Sequence, residues 1–200
     1  MIINIVINFF GAFLFFYLFW KKLKEDYPSS SIFSICFYLL FGIGLGYLIS
    51  LKFFPHWWFW SEFAGSLLGV TAGLLKYKFR PYEAIEAAIL ALLPWLGLVF
   101  FKDSIVRSSL SSFLAFFSVV CLLTLFAFLD SHYKYFAWYK SGKLGFSGLV
   151  TIFFFFLLRA GFAPFFPNVI SFSGKWETAI SGTMAFIIFL IVYNLARKSP

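Results

Sequence analysis

The stretch Glu62-Phe63-Ala64-Gly65-Ser66-Leu67-Leu68-Gly69-Val70-Thr71-Ala72-Gly73 sets three glycines four residues apart inside an apolar run. Residues four apart lie on one face of an α-helix, so Gly65, Gly69 and Gly73 form a strip with no side chains. In a chain surrounded by lipid, such a strip lets a neighbouring helix backbone approach closely. It also leaves room for something other than protein, such as an acyl chain. Which of the two fills it bears directly on what the molecule does.

The flanking sequence requires lipid as its solvent. Of 200 residues, 62% are hydrophobic, 25% are aromatic and only 12% are charged. A soluble chain carries about 25% charged residues and about 45–50% apolar ones. A surface built from the present composition could not be hydrated, so the chain reads as an integral membrane protein.

Spanning a bilayer takes about 20 apolar residues. The segments that qualify are 2–20, 31–51, 62–75, 82–101, 109–129, 144–163 and 176–195. They predict an all-α, polytopic bundle of seven transmembrane helices. With short connectors and no Gly/Ser or Pro linker, residues 1–200 read as a single membrane domain. The third span is short: its 14 residues rise about 21 Å. Lys76, Tyr77 and Lys78 extend it by snorkelling. The first segment lacks a basic leader and a small-residue cleavage site, and reads as a retained helix.

Basic residues set the orientation. Lys21, Lys22, Lys24, Lys76, Lys78, Arg80, Lys134, Lys140, Lys143, Arg197 and Lys198 fall on one side, eleven in all. Four, Lys52, Lys102, Arg107 and Lys175, fall on the other. The positive-inside rule then places the N-terminus outside and the C-terminus in the cytoplasm. The net charge of +8 is thus a topology signal, with attraction to anionic lipid as a secondary effect. No nucleic-acid partner is expected.

Chemistry-bearing residues are few. Cys36 and Cys121 both lie in apolar runs, where a thiol behaves as a small hydrophobe. His56 and His132 fall on opposite sides, and no set has metal-ligand spacing, so neither a metal nor another cofactor is expected. Asp130 and His132 are neighbours without a nucleophile elbow beside them. Arg159 follows Phe153-Phe154-Phe155-Phe156-Leu157-Leu158 inside the sixth span. An arginine there costs about 2.5–3.5 kcal/mol on insertion scales, and usually faces a cavity or a partner. Three readings are open: snorkelling to the outer headgroups, a bidentate fork for a lipid phosphate, or an ion pair with Glu62 or Glu177. Lys102 with Asp103, and Glu62, fall at the same outer end and are expected to converge with Arg159 beside the glycine strip.

Elsewhere, Pro81 and Glu83 are helix-start residues. Glu86 is one turn deeper and open to a buried polar contact, and Pro94 predicts a kink. Trp57, Trp58 and Trp60 read as interface anchors or, alternatively, as part of a substrate lid.

The order of elements resembles the bacterial prolipoprotein diacylglyceryl transferases, seven-helix plasma-membrane enzymes with an external N-terminus. Gly42-Ile43-Gly44-Leu45-Gly46-Tyr47 is similar to their second-helix glycine-rich segment, and Phe63-Ala64-Gly65-Ser66-Leu67-Leu68-Gly69 to their third-helix motif. Leu92-Leu93-Pro94-Trp95-Leu96-Gly97-Leu98 resembles their fourth helix. Gly142-Lys143-Leu144-Gly145, with Phe156-Leu157-Leu158-Arg159 further on, resembles their sixth.

The departures fall on the chemistry. Ala64 stands in place of the family's histidine and Gly44 in place of an arginine. The Gly-Arg-x-Gly-Asn-Phe signature is absent, with Lys102 near the place of its arginine. The resemblance implies transfer of a diacylglyceryl group from phosphatidylglycerol, or another anionic phospholipid, to the cysteine thiol of a lipobox-containing preprotein, at the outer leaflet of the bacterial inner membrane. It implies Arg159 and Lys102 as the catalytic cations, and Gly65, Gly69, Gly73, Glu62 and Tyr47 as lipid-binding residues. The alternatives are a non-catalytic phospholipid-binding or assembly protein on the same scaffold, and a small transporter.

Overall fold

The computed structural model describes residues 2–132 and 146–197. Residues 133–145, with Lys134, Lys140, Lys143 and the expected start of the sixth span, lie outside the described residues, as does Lys198. Among the described residues there are seven α-helices and no strand. They are α1 (Ile2–Leu23), α2 (Ser29–Phe53), α3 (Trp58–Tyr77), α4 (Pro81–Arg107), α5 (Leu110–His132), α6 (Phe146–Phe162) and α7 (Glu177–Arg197). Single turns of 3-10 helix, Pro55–Trp57 and Gly174–Trp176, lead into α3 and α7.

Among the described residues, five stretches are long and apolar enough to cross a membrane: Val6–Leu23, Ser29–Phe53, Pro81–Arg107, Leu110–His132 and Gly174–Arg197. α6 is apolar but shorter. α3 falls outside that set, its apolar run diluted by Ser61, Glu62, three glycines and Thr71. It is longer than its apolar core suggests: 20 residues rather than 14, because the Trp-rich entry is already helical.

Burial follows a lipid-solvent logic. Large apolar side chains face outward, with Phe9, Leu68 and Leu75 more than 70% exposed, while Arg159, Glu177 and Ser181 are buried. Hydroxyls on outward faces donate back into their own helix, Thr71 to the Leu67 carbonyl and Thr124 to Val120. That leaves no donor unsatisfied where water is absent.

α4 is the hub, touching α1, α3, α5 and α6, and it continues unbroken through Pro94. Small residues set the close crossings. A Cβ on Gly11 would collide with the Trp95 indole, joining α1 to α4, and one on Gly148 would lie 2.9 Å from the Glu86 Cα, joining α6 to α4.

Polar clasps tie the other end together. Lys22 Nζ donates to Asp130 at 2.8 Å and lies 3.0 Å from Glu86, linking α1, α5 and α4. Glu86 therefore does make a buried polar contact. The Tyr27 hydroxyl donates to Glu83 at 2.6 Å and accepts the Arg80 N–H at 3.1 Å, with its ring stacked on Phe79. Burial, with the Glu83 carboxylate beside it, raises the Tyr27 phenol above its ordinary pKa.

Lys78 and Ser108 close α3 and α4 in the left-handed conformation, with φ of 55° and 49°. That conformation costs a residue with a Cβ about 1–2 kcal/mol, partly offset in glycine by its greater entropy loss. Ser108→Gly is expected to raise stability by up to ~1 kcal/mol, read as a higher Tm in detergent. A lower Tm would show that the serine side chain contributes more than the relieved strain.

Candidate functional site

The glycine strip of α3 is occupied, and by protein. A Cβ on Gly65 would collide with the Gly42 carbonyl oxygen, and one on Gly69 with the Tyr38 carbonyl. Gly46 reciprocates from α2, where a Cβ would strike the Ser61 carbonyl. At Gly73 the Ile35 side chain closes the contact, 3.3 Å from where a Cβ would stand. The two backbones touch at Gly65 and Gly69 and a side chain of α2 covers Gly73, so all three are helix-packing residues. Their assignment to lipid binding is corrected: the groove that an acyl chain would need is filled by α2.

Arg159 sits one turn from the end of α6 and is 4% exposed. It does not snorkel. Its Nε donates to Glu177 Oε1 at 2.9 Å, and Nη2 lies 2.6 Å from the same oxygen. Nη1 donates to the Ser171 hydroxyl at 2.8 Å and Nη2 to the Ser171 carbonyl at 2.9 Å. The guanidinium lies 3.8 Å over the Phe59 ring, a cation–π contact in a desolvated setting. Of the two carboxylates open as partners in the sequence, the structure selects Glu177.

Glu177 is fully buried and its two oxygens are saturated. Oε1 also accepts from the Ser181 hydroxyl at 2.7 Å. Oε2 accepts from Trp60 Nε1 at 3.0 Å, and from the Ser173 N–H and hydroxyl at 3.1 Å each. A buried charge pair is tolerable only when its remaining lone pairs and protons are met, and here each side has several partners. The pair thereby joins α3, α6, α7 and the segment 163–173. Trp58 adds a further tie, donating to the Ile170 carbonyl at 2.9 Å. Two of the three tryptophans expected as interface anchors thus direct their N–H groups into the protein.

Beside this cluster lies a narrow cleft between α5, α6 and the segment 163–173, with about 30 Å³ of free space, room for a single water-sized molecule. Its walls are almost wholly apolar, including Phe100, Ala115, Leu122, Phe155 and Phe172, with Arg159 the one charged lining residue. Lining residues on α5 run from Ser111 to Leu122, about 16 Å along the helix axis.

Lys102, Glu62 and Tyr47 are not among the cleft residues. Lys102 is half-buried at the end of α4, Tyr47 is exposed on α2, and Glu62 is half-buried at the α2–α3 crossing, its Cα beside Gly46. The expected convergence of Arg159, Lys102 and Glu62 beside the glycine strip does not occur: Arg159 has turned toward α7, while the strip faces α2. Asp103, next to Lys102, accepts from Ser112 at 2.6 Å and pairs with Arg107 at 3.0 Å, closing the α4–α5 turn.

Sequence reasoning missed Ser171, Ser173 and Ser181. Ser181 was detectable, four residues after Glu177 and so on the same helix face. The other two lie in a connector with no periodicity to mark them.

The fold is that of a helical multi-pass membrane protein. Comparison of the chain with protein-family models, with curated proteins and with solved structures finds no match.

Proposed function

We propose that the protein is a non-catalytic phospholipid-binding membrane protein, holding an acyl chain in the cleft between α5 and α6. All seven helices cross the bilayer in this reading, with the N-terminus and the Trp58 end outside. The observation that carries it is the apolar lining of the cleft, which leaves about 30 Å³ free, so that an acyl chain enters by parting its walls. At membrane depth, the apolar molecule at hand to fill such a cleft is a lipid chain. The one charged group lining it is neutralised by Glu177, so the cleft selects for apolar length rather than for an anion.

Diacylglyceryl transfer, which the resemblance implies, needs a base for the thiol and free donors for the departing phosphate. Ala64 offers no base, and the Arg159 donors are engaged by Glu177 and Ser171. The geometry therefore favours binding over turnover.

Native mass spectrometry of the purified protein is expected to show a bound phospholipid. Ala115→Trp, which fills the cleft, is expected to reduce that occupancy at least about tenfold, the equivalent of ~1.4 kcal/mol. Phosphatidylglycerol and phosphatidylcholine are expected to bind alike. An assay with phosphatidylglycerol and a lipobox peptide is expected to yield no lipidated cysteine. Lipidation above background would overturn the non-catalytic reading, and equal occupancy in Ala115→Trp would remove the cleft as the site.

A further inference from the structure

The segment 163–173 belongs to the cleft and to the polar cluster at once. Its inner side supplies Phe166, Val169 and Phe172 to the cleft wall. Its backbone is fastened from other elements: Trp58 holds the Ile170 carbonyl, Arg159 holds both oxygens of Ser171, and Glu177 holds the Ser173 N–H. Within the segment there are only isolated turns, Val169 N–H to the Phe166 carbonyl and Phe172 N–H to the Val169 carbonyl. A stretch with so little internal bonding keeps its place through those outside fastenings.

Its other side is uncovered. Pro164, Phe165, Pro167 and Asn168 are exposed, and Phe165 is among the most exposed large apolar residues of the chain, at 78%. At its far end Gly174 has a φ of +70° and open space around it, a backbone position suited to a hinge. Trp58 is outside the cleft lining, so one fastening acts on the segment without touching the cavity wall.

We propose that residues 163–173 are the gate of the cleft, latched by Trp58 and Arg159 and turning at Gly174 to admit a phospholipid acyl chain. The inference rests on the reading of the cleft as an acyl-chain site. The latch bonds and the wall residues alternate along one short segment, so releasing Ile170 and Ser171 withdraws Val169 and Phe172 from the wall. Entry of a chain and loosening of the latch are then one event.

The test uses the full chain in phosphatidylcholine nanodiscs, with phosphatidylcholine carrying a pyrene-labelled acyl chain as the probe. Trp58→Phe removes the indole N–H and keeps an aromatic ring, and Ser171→Ala removes the hydroxyl acceptor. Trp58→Phe is expected to speed probe exchange about fivefold, the effect of one neutral hydrogen bond, and Ser171→Ala about tenfold or more, since its hydroxyl accepts from a charged guanidinium; both are expected to speed hydrogen exchange at the Val169 and Phe172 amides. Faster amide exchange with wild-type probe exchange in both variants would refute the gate. No change in either measurement would refute the latch. A wild-type protein that takes up no probe at all would instead refute the cleft reading, and the gate with it.

Discussion

Replacing Glu177 by alanine is expected to destabilise the protein by about 3–5 kcal/mol, because a buried charge is left without its partner. The Arg159 guanidinium is almost wholly withdrawn from water: its side chain is 5% exposed and flanked by Phe59, Phe155 and Phe172. Trp60, Ser173 and Ser181 would lose their acceptor in the same step. Removing both charges together is a milder change. Arg159→Met with Glu177→Leu is expected to recover part of the loss, since well-packed apolar pairs often match or exceed buried ion pairs. Thermal unfolding in detergent of the two single variants and the double variant gives the coupling directly. If Glu177→Ala unfolds at the wild-type temperature, the pair is not what holds this end of the bundle.

The second large effect is expected at the α2–α3 crossing. Gly65→Val places branched carbons where the Gly42 carbonyl stands, and backbone cannot rotate aside as a side chain can. Overpacking costs about 1–3 kcal/mol and occasionally more, and this site is expected at the upper end. Gly42→Val is its mirror image. Gly44 and Gly161 are internal controls, with nothing within 4 Å of an added Cβ. Alanine at either is expected to be neutral or to stabilise by up to about 1 kcal/mol through helix propensity. Equal Tm losses at Gly44 and Gly65 would mean that the tight crossing does not contribute to stability.

Five of the helices are legible because their apolar segments are long and uniform, so hydropathy alone finds them. Charge at their ends also agreed with Pro81 and Glu83 opening α4. The start of α3 was less legible, because Trp58, Phe59 and Trp60 read equally as an interface belt and as a first helical turn. The site was only half legible. Arg159 announces itself by its cost in an apolar segment, and Glu177 was one of two carboxylates open as its partner. The choice between them depended on how a connector of irregular backbone folds back, and no pattern in residues 163–173 encodes that. The glycine spacing makes a bare surface legible but not what covers it; α2 supplies a second one through Gly42 and Gly46, and two complementary surfaces favour each other over lipid.

The Arg159–Glu177 contact also constrains how the chain is made. An unpaired arginine costs about 2.5–3.5 kcal/mol at the centre of a span and less near its end, where Arg159 stands. Glu177 follows Arg159 by 18 positions, at the start of the next helix. Unlike helices whose hydroxyls are self-contained, α6 has no comfortable resting state in the bilayer until α7 has been synthesised. Read as membrane spans, these two segments are expected to leave the translocation machinery together, as a hairpin in which Arg159 is already paired, and a chain truncated before Glu177 is expected to integrate its last span less efficiently.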